Sequence, residues 1–101
     1  MTTWDVRYAR QFAEQLAELP NSTYDRVEGS IDVLVANPGP AREYDPAYEA
    51  ARPPVPCSCY PVPRTTKVIY LVADEEKHAL TMLFLGDARE DPRRRFGRME
   101  W

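Results

Sequence analysis

A chain of 101 residues, 44% of them apolar, is long enough for one hydrophobic core and too short for two. Its net charge of −3 and isoelectric point of about 5.1 exclude a protein that coats nucleic acid indiscriminately. No apolar run reaches the roughly 18 residues of a membrane span. The start Met1-Thr2-Thr3-Trp4-Asp5 has neither the basic nor the apolar region of a secretion signal, so a cytoplasmic protein with no membrane partner is expected.

The first element in the chain is short. Trp4-Asp5-Val6-Arg7-Tyr8 alternates apolar and polar side chains, the period of a strand. The period then lengthens. Ala9, Phe12, Ala13, Leu16 and Leu19 recur at helical spacing, and Pro20-Asn21 ends that helix. Ser22, with Asp25 three residues on, forms a capping-box-like start to a second helix. Its apolar stripe is Tyr24, Val27, Ile31, Leu34 and Val35, and Asn37-Pro38-Gly39-Pro40 stops it. A short turn between two one-sided helices predicts an αα-hairpin that needs a sheet to cover.

Eight of the ten prolines fall within residues 38–63. Prolines fix φ and remove donors, so an irregular crossing loop is expected there. It ends in a short strand at Cys57-Ser58-Cys59-Tyr60, which Pro61 restricts to an edge or stops early. Beyond Lys67, Thr66–Val72 is apolar on both faces, as a central strand is. Asp74-Glu75-Glu76-Lys77 reads as a hairpin turn, Leu80–Leu85 as a second buried strand, and Gly86-Asp87 as its break. The predicted fold class is α+β. Two N-terminal helices, as an αα-hairpin, pack on a small, mainly antiparallel sheet of about four strands, in the order β-α-α-β-β-β. It is one domain over residues 1–101, with a basic tail at 87–101.

Charge is unevenly distributed. Residues 1–50 sum to −5 and residues 51–101 to +2. The late positive charge gathers in Arg89, Arg93, Arg94, Arg95 and Arg98, which suits one localised anion-facing surface on an acidic body. Cys57, Cys59 and His78 are too few for a tetrahedral zinc site. A disulfide across Cys-x-Cys is strained in an extended strand, so two reduced thiols are expected, with no metal and no cofactor. Phe96, Met99 and Trp101 in the tail either cover the sheet or form an interface.

The order and spacing of four segments resemble the RelE/ParE superfamily of bacterial toxins. Phe12-Ala13-Glu14-Gln15-Leu16 is similar to the family's first-helix pattern. Leu34-Val35-Ala36-Asn37-Pro38 is similar to the end of its second helix. Lys67-Val68-Ile69-Tyr70-Leu71-Val72 with Asp74-Glu75 resembles its "Y-R-L-I-Y-x-V-D-D" strand and hairpin, and Leu83-Phe84-Leu85-Gly86 followed by Arg89 its "I-x-x-I-G-H-R" strand end. Lys67 stands at the family's arginine, Asp87-Ala88 intervene before Arg89, and Phe96 lacks the hydroxyl of the tyrosine found near the C-terminus of ribonuclease members.

The resemblance implies the toxin of a toxin–antitoxin system. The nuclease members cut messenger RNA in the ribosomal A site by attack of a ribose 2′-hydroxyl on the adjacent phosphate. That reaction needs cations around the phosphorane-like transition state and a proton acceptor and donor. By this resemblance Lys67 and Arg89 are the candidate catalytic cations. Arg93, Arg94, Arg95 and Phe96 are candidate nucleic-acid contacts, and Asp87 or Glu90 a possible acid or base. His78 sits at the far end of its strand, roughly 23 Å from Arg89 at ~3.3 Å per residue, and is read as structural. The implied partners are a cognate antitoxin, the ribosome and messenger RNA. The alternatives are a ParE-like, non-enzymatic inhibitor of DNA gyrase and an inactive homologue that only binds its antitoxin.

Overall fold

The computed structural model describes residues 3–44, 52–91, 94 and 96–99. The chain runs β1 (Asp5–Tyr8), α1 (Arg10–Ala17), α2 (Asn21–Ala36), β2 (Arg42–Glu43), β3 (Ser58–Pro61), β4 (Lys67–Asp74) and β5 (Ala79–Asp87). The predicted α+β layout of a helical hairpin on a sheet holds. The sheet has five strands rather than four, in the order β1-β5-β4-β3-β2. Only β1 and β5 run parallel; the other pairings are antiparallel.

The extra strand is Arg42–Glu43, inside the stretch expected to be irregular. It pairs only with Ser58 and Cys59. Pro61 sits opposite Val68 on the β4 side, beyond the reach of β2, where its missing N–H breaks no ladder bond. Neither Cys57 nor Cys59 forms a disulfide. Burial, with the neighbouring Cys59, pushes the Cys57 thiol up to about 11, so it stays protonated at neutral pH.

Helix α2 begins at Asn21 rather than behind a Ser22 cap, and no side chain caps it. Pro20 supplies the entry: its φ of −58° is already helical, and its carbonyl accepts the Tyr24 N–H at 2.9 Å. Tyr24, expected in the apolar stripe, is 39% exposed, while Ser30 takes an inward place at 5%. The first two turns of α2 overhang a surface groove and carry Ser22, Thr23 and Arg26 to it, so burial starts only at Val27.

The helices cover one face of the sheet. Phe12 and Leu16 from α1 and Val27, Ile31 and Leu34 from α2 pack on Ile69, Leu71, Leu80, Met82 and Leu85. The opposite face holds a second cluster, of Cys57, Tyr70, Phe84 and Met99, with Tyr44 and Phe96 against it. Phe96 and Met99 therefore cover the sheet; Trp101 lies outside the described residues. A register shift between Tyr70 and Leu71 lets Leu83 and Phe84 both serve this second face.

Strand β5 does not break at Gly86-Asp87 but pairs on through Gly86↔Val68 and Asp87↔Lys67. Glycine is needed there for close approach rather than for a turn. A Cβ at position 86 would sit 2.7 Å from Tyr70 Cε2. On its other side β5 is covered by β1 only through Met82. Beyond it, Gln15 of α1 takes over the ladder: its amide donates to Leu85 O at 2.9 Å and accepts the Leu85 N–H at 2.8 Å. Gln11 Nε2, one turn earlier, donates to the Arg98 carbonyl. These two glutamines join α1 to the strand end and the tail.

Candidate functional site

Where the α1–α2 link, the β3–β4 turn and the end of β5 converge, they enclose an open groove of about 660 Å³. Among the described residues five cations line it: Arg26 from α2, Arg64 from the turn, Lys67 opening β4, and Arg89 and Arg98 from the segment after β5. Glu18 and Asp87 are the only carboxylates among its described lining residues. An excess of positive side chains in one groove of a protein of net charge −3 focuses field on that groove and attracts anions to it.

The β3–β4 turn is held in an uncommon conformation. Arg64 has φ of 62°, a region that a side chain makes unfavourable by about 1 kcal/mol or more. Local bonds hold it in place. Thr65 donates from both N–H (3.3 Å) and Oγ1 (2.9 Å) to Val62 O, and its Oγ1 accepts the Lys67 N–H at 3.0 Å. The Ala88 N–H reaches back to Thr66 O at 2.7 Å. The turn is thereby tied to both the start of β4 and the end of β5.

Asp87 is the hub of the groove. Its carboxylate accepts the Arg89 main-chain N–H at 2.9 Å and Arg89 Nε at 3.3 Å on one oxygen. The other accepts Arg89 NH2 at 3.2 Å and Thr66 Oγ1 at 3.1 Å. Lys67 Nζ stands 3.8 Å away. The Arg89 hydrogen bonds, helped by Thr66 and opposed by partial burial, hold the carboxyl down at about 2, far from the near-neutral range of an efficient general acid or base. In return Asp87 raises the Arg89 guanidinium further. Beside this pair, Arg98 NH2 bonds both oxygens of Glu90 at 3.1 and 3.2 Å. Arg26 and Arg64 make no ion pair among the described residues.

The structure thus brings together Lys67, Arg89, Asp87 and Glu90 of the sequence-predicted site. Arg94 is exposed and does not line the groove. Arg93 and Arg95 lie outside the described residues. Phe96 is placed on the second face, edge-on to Tyr70 at 5.0 Å and Tyr44 at 5.3 Å, as part of the packing there. His78 stacks on Trp4 at 4.2 Å, on the β4–β5 hairpin rather than at the groove. Sequence reading missed Arg26 and Arg64 as site residues. The only signal was a base in the turn just before Lys67; Arg26, inside the second helix, offered none.

Two helices on a mixed five-stranded sheet are the fold of solved RelE chains, which superpose on this one. A chain of the archaeal RelE–RelB complex from Pyrococcus horikoshii superposes with a TM-score of 0.66 at 17% identity, covering 90% of this chain and all of that one. A chain of the RelBE2 toxin–antitoxin complex from Mycobacterium tuberculosis gives 0.65 at 16% identity, over 89% and 97%. The isolated E. coli RelE toxin gives 0.63 at 10% identity, over 87% of each chain. No family model matches the sequence, and no curated protein does. No helix among the described residues is long and apolar enough to cross a membrane.

Proposed function

We propose that this chain is the toxin of a toxin–antitoxin pair and acts as a RelE-like, ribosome-dependent endoribonuclease on messenger RNA. The observation that carries the reading is the groove with five cations against two carboxylates. Phosphoryl-transfer chemistry within RNA builds negative charge on the attacked phosphate, and preorganised cations at that point lower the barrier. Lys67 and Arg89 are the proposed catalytic cations, with Arg98 beside them. Arg26 and Arg64, which have no internal partner among the described residues, hold the flanking phosphates of the strand. Arg93, Arg94 and Arg95 extend this contact along the tail toward ribosomal or messenger phosphates. A cognate antitoxin is the proposed partner, in keeping with the RelE–RelB complexes among the structural neighbours.

The test is expression of the chain followed by primer-extension mapping of cellular messenger RNA. Cuts within translated codons are expected. Lys67→Ala and Arg89→Ala each lower the cutting rate by about a hundredfold, the scale on which one transition-state donor acts, without loss of the circular-dichroism signal. A second reading, ParE-like inhibition of DNA gyrase without catalysis, draws on one observation: the carboxyl at the centre of the groove is held at about 2, which suits binding better than proton transfer. Growth arrest with uncut messenger RNA, persisting in both variants and inhibiting gyrase supercoiling in vitro, would replace the first reading with this one.

A further inference from the structure

The donors around Asp87 are unusual for a carboxylate at a strand end. One main-chain N–H, one hydroxyl, two guanidinium nitrogens and a lysine ammonium all converge on it. A main-chain N–H, a hydroxyl and a guanidinium fork also make a set that holds a phosphate. We infer that Asp87 is a built-in counter-anion: its carboxylate fills the groove's own phosphate cradle, and a substrate phosphate enters by displacing it from Lys67, Arg89 and Thr66. This inference rests on the reading of the groove as a phosphate-handling surface and deepens it, because it divides the groove into two halves. Arg26 and Arg64 are open to the first phosphate that arrives. Lys67 and Arg89 become available only when Asp87 turns out.

Three observations support displacement over a purely structural role. The Lys67 contact, at 3.8 Å, is an ion pair without a close hydrogen bond, the geometry of a partner that is easily exchanged. Arg89 is anchored through its main-chain N–H, yet its side chain is 76% exposed, so the guanidinium can follow an incoming phosphate. The β4–β5 ladder at Lys67↔Asp87 is made by the backbone and does not depend on the Asp87 side chain. The carboxylate can leave while the strands stay paired.

The experiment uses the full chain and two probes, inorganic phosphate and a short single-stranded RNA, each titrated at low salt against wild type, Asp87→Asn and Arg64→Ala. Asp87→Asn removes the competing charge in nearly the same volume. It is expected to bind phosphate about tenfold more tightly, and to steepen the salt dependence of RNA binding by about 0.7 in logarithmic slope, one further phosphate contact. Arg64→Ala weakens RNA binding, and the double variant Arg64→Ala/Asp87→Asn keeps the phosphate gain of Asp87→Asn. Unchanged or weaker phosphate binding by Asp87→Asn, with its far-ultraviolet spectrum preserved, overturns the proposal and assigns Asp87 to positioning Arg89. RNA binding that Arg64→Ala abolishes and Asp87→Asn leaves unaltered does the same while sparing the nucleic-acid reading. Tighter phosphate binding with no RNA binding by any form sustains the counter-anion and removes the RNA. Should Asp87→Asn fail to fold, a crystal structure of the wild type grown in phosphate decides the matter. A phosphate among Thr66, Lys67 and Arg89 with Asp87 turned away supports the proposal, and a bound phosphate beside an unmoved Asp87, or an empty cradle, refutes it.

Discussion

The two faces of the sheet are covered by different chemistry. Under the helices the core is mostly aliphatic, with Leu16, Val27, Ile31, Leu34, Ile69, Leu71, Leu80, Met82 and Leu85 around one phenylalanine. On the opposite face Tyr44, Tyr70, Phe84 and Phe96 pack edge-on or tilted with Met99 and Cys57. The first cover consists of regular helices joined by a short link. The second combines Tyr44 and Cys57, from before β3, with the segment after β5, which also carries Arg89 and Arg98 to the groove. Among the described residues the helix face holds eleven buried apolar side chains against four on the other, and so more of the stability. The tail face supplies less and holds the cations in place.

Truncation of the helix face gives the largest effect. Leu34→Ala removes a fully buried side chain and leaves a cavity, lowering unfolding free energy by about 3 kcal/mol in a denaturant titration. Phosphate binding by the folded fraction stays unchanged. If phosphate affinity falls as well, the two faces do not divide their roles in this way.

A smaller loss of stability comes from the tail face. Phe96→Ala removes a half-buried ring and its edge contacts to Tyr70 and Tyr44, lowering stability by about 1.5 kcal/mol. It also frees the segment that holds Arg98, so RNA affinity at low salt falls severalfold while the helix core keeps its hydrogen-exchange protection. Equal loss of protection on both faces would show one undivided core.

The smallest effect is a pH dependence confined to the groove. Asp87 is held down from 3.8 to about 2, so its ionised form favours the folded state. That contribution is complete above about pH 4 and is lost as pH falls toward 2. The stability difference between wild type and Asp87→Asn should shrink over this interval and be flat above it. A difference that grows on acidification would mean the carboxylate is destabilising where it sits.

Much of the fold was legible because it rests on periodicity. Phe12 and Leu16, then Val27, Ile31 and Leu34, repeat as one face of a helix must, and residues 68–72 and 80–85 are apolar on both sides as central strands are. Asn37-Pro38 ends α2 where it was expected to, since proline bars the helix that precedes it. Lys67, Arg89, Asp87 and Glu90 were named as one candidate site through order and spacing along the chain, and the fold places them close together. β2 was missed because two charged residues, Arg42 and Glu43, carry no alternation; their strand form comes from pairing with Cys59 and Ser58.

The sequence by itself determined the class of fold, the order of its elements and the end of the sheet where cations collect, because hydrophobic period and charge sums are local properties of the chain. Only the tertiary structure decided which charges meet. Arg26 and Arg64 are 38 positions apart in sequence and share one groove with Lys67. Whether a charged side chain is free or neutralised depends on what lies within about 4 Å of it, and long-range packing sets that distance. For the same reason Asp87 reads in the sequence as a strand breaker and in the fold as the anion at the centre of the groove.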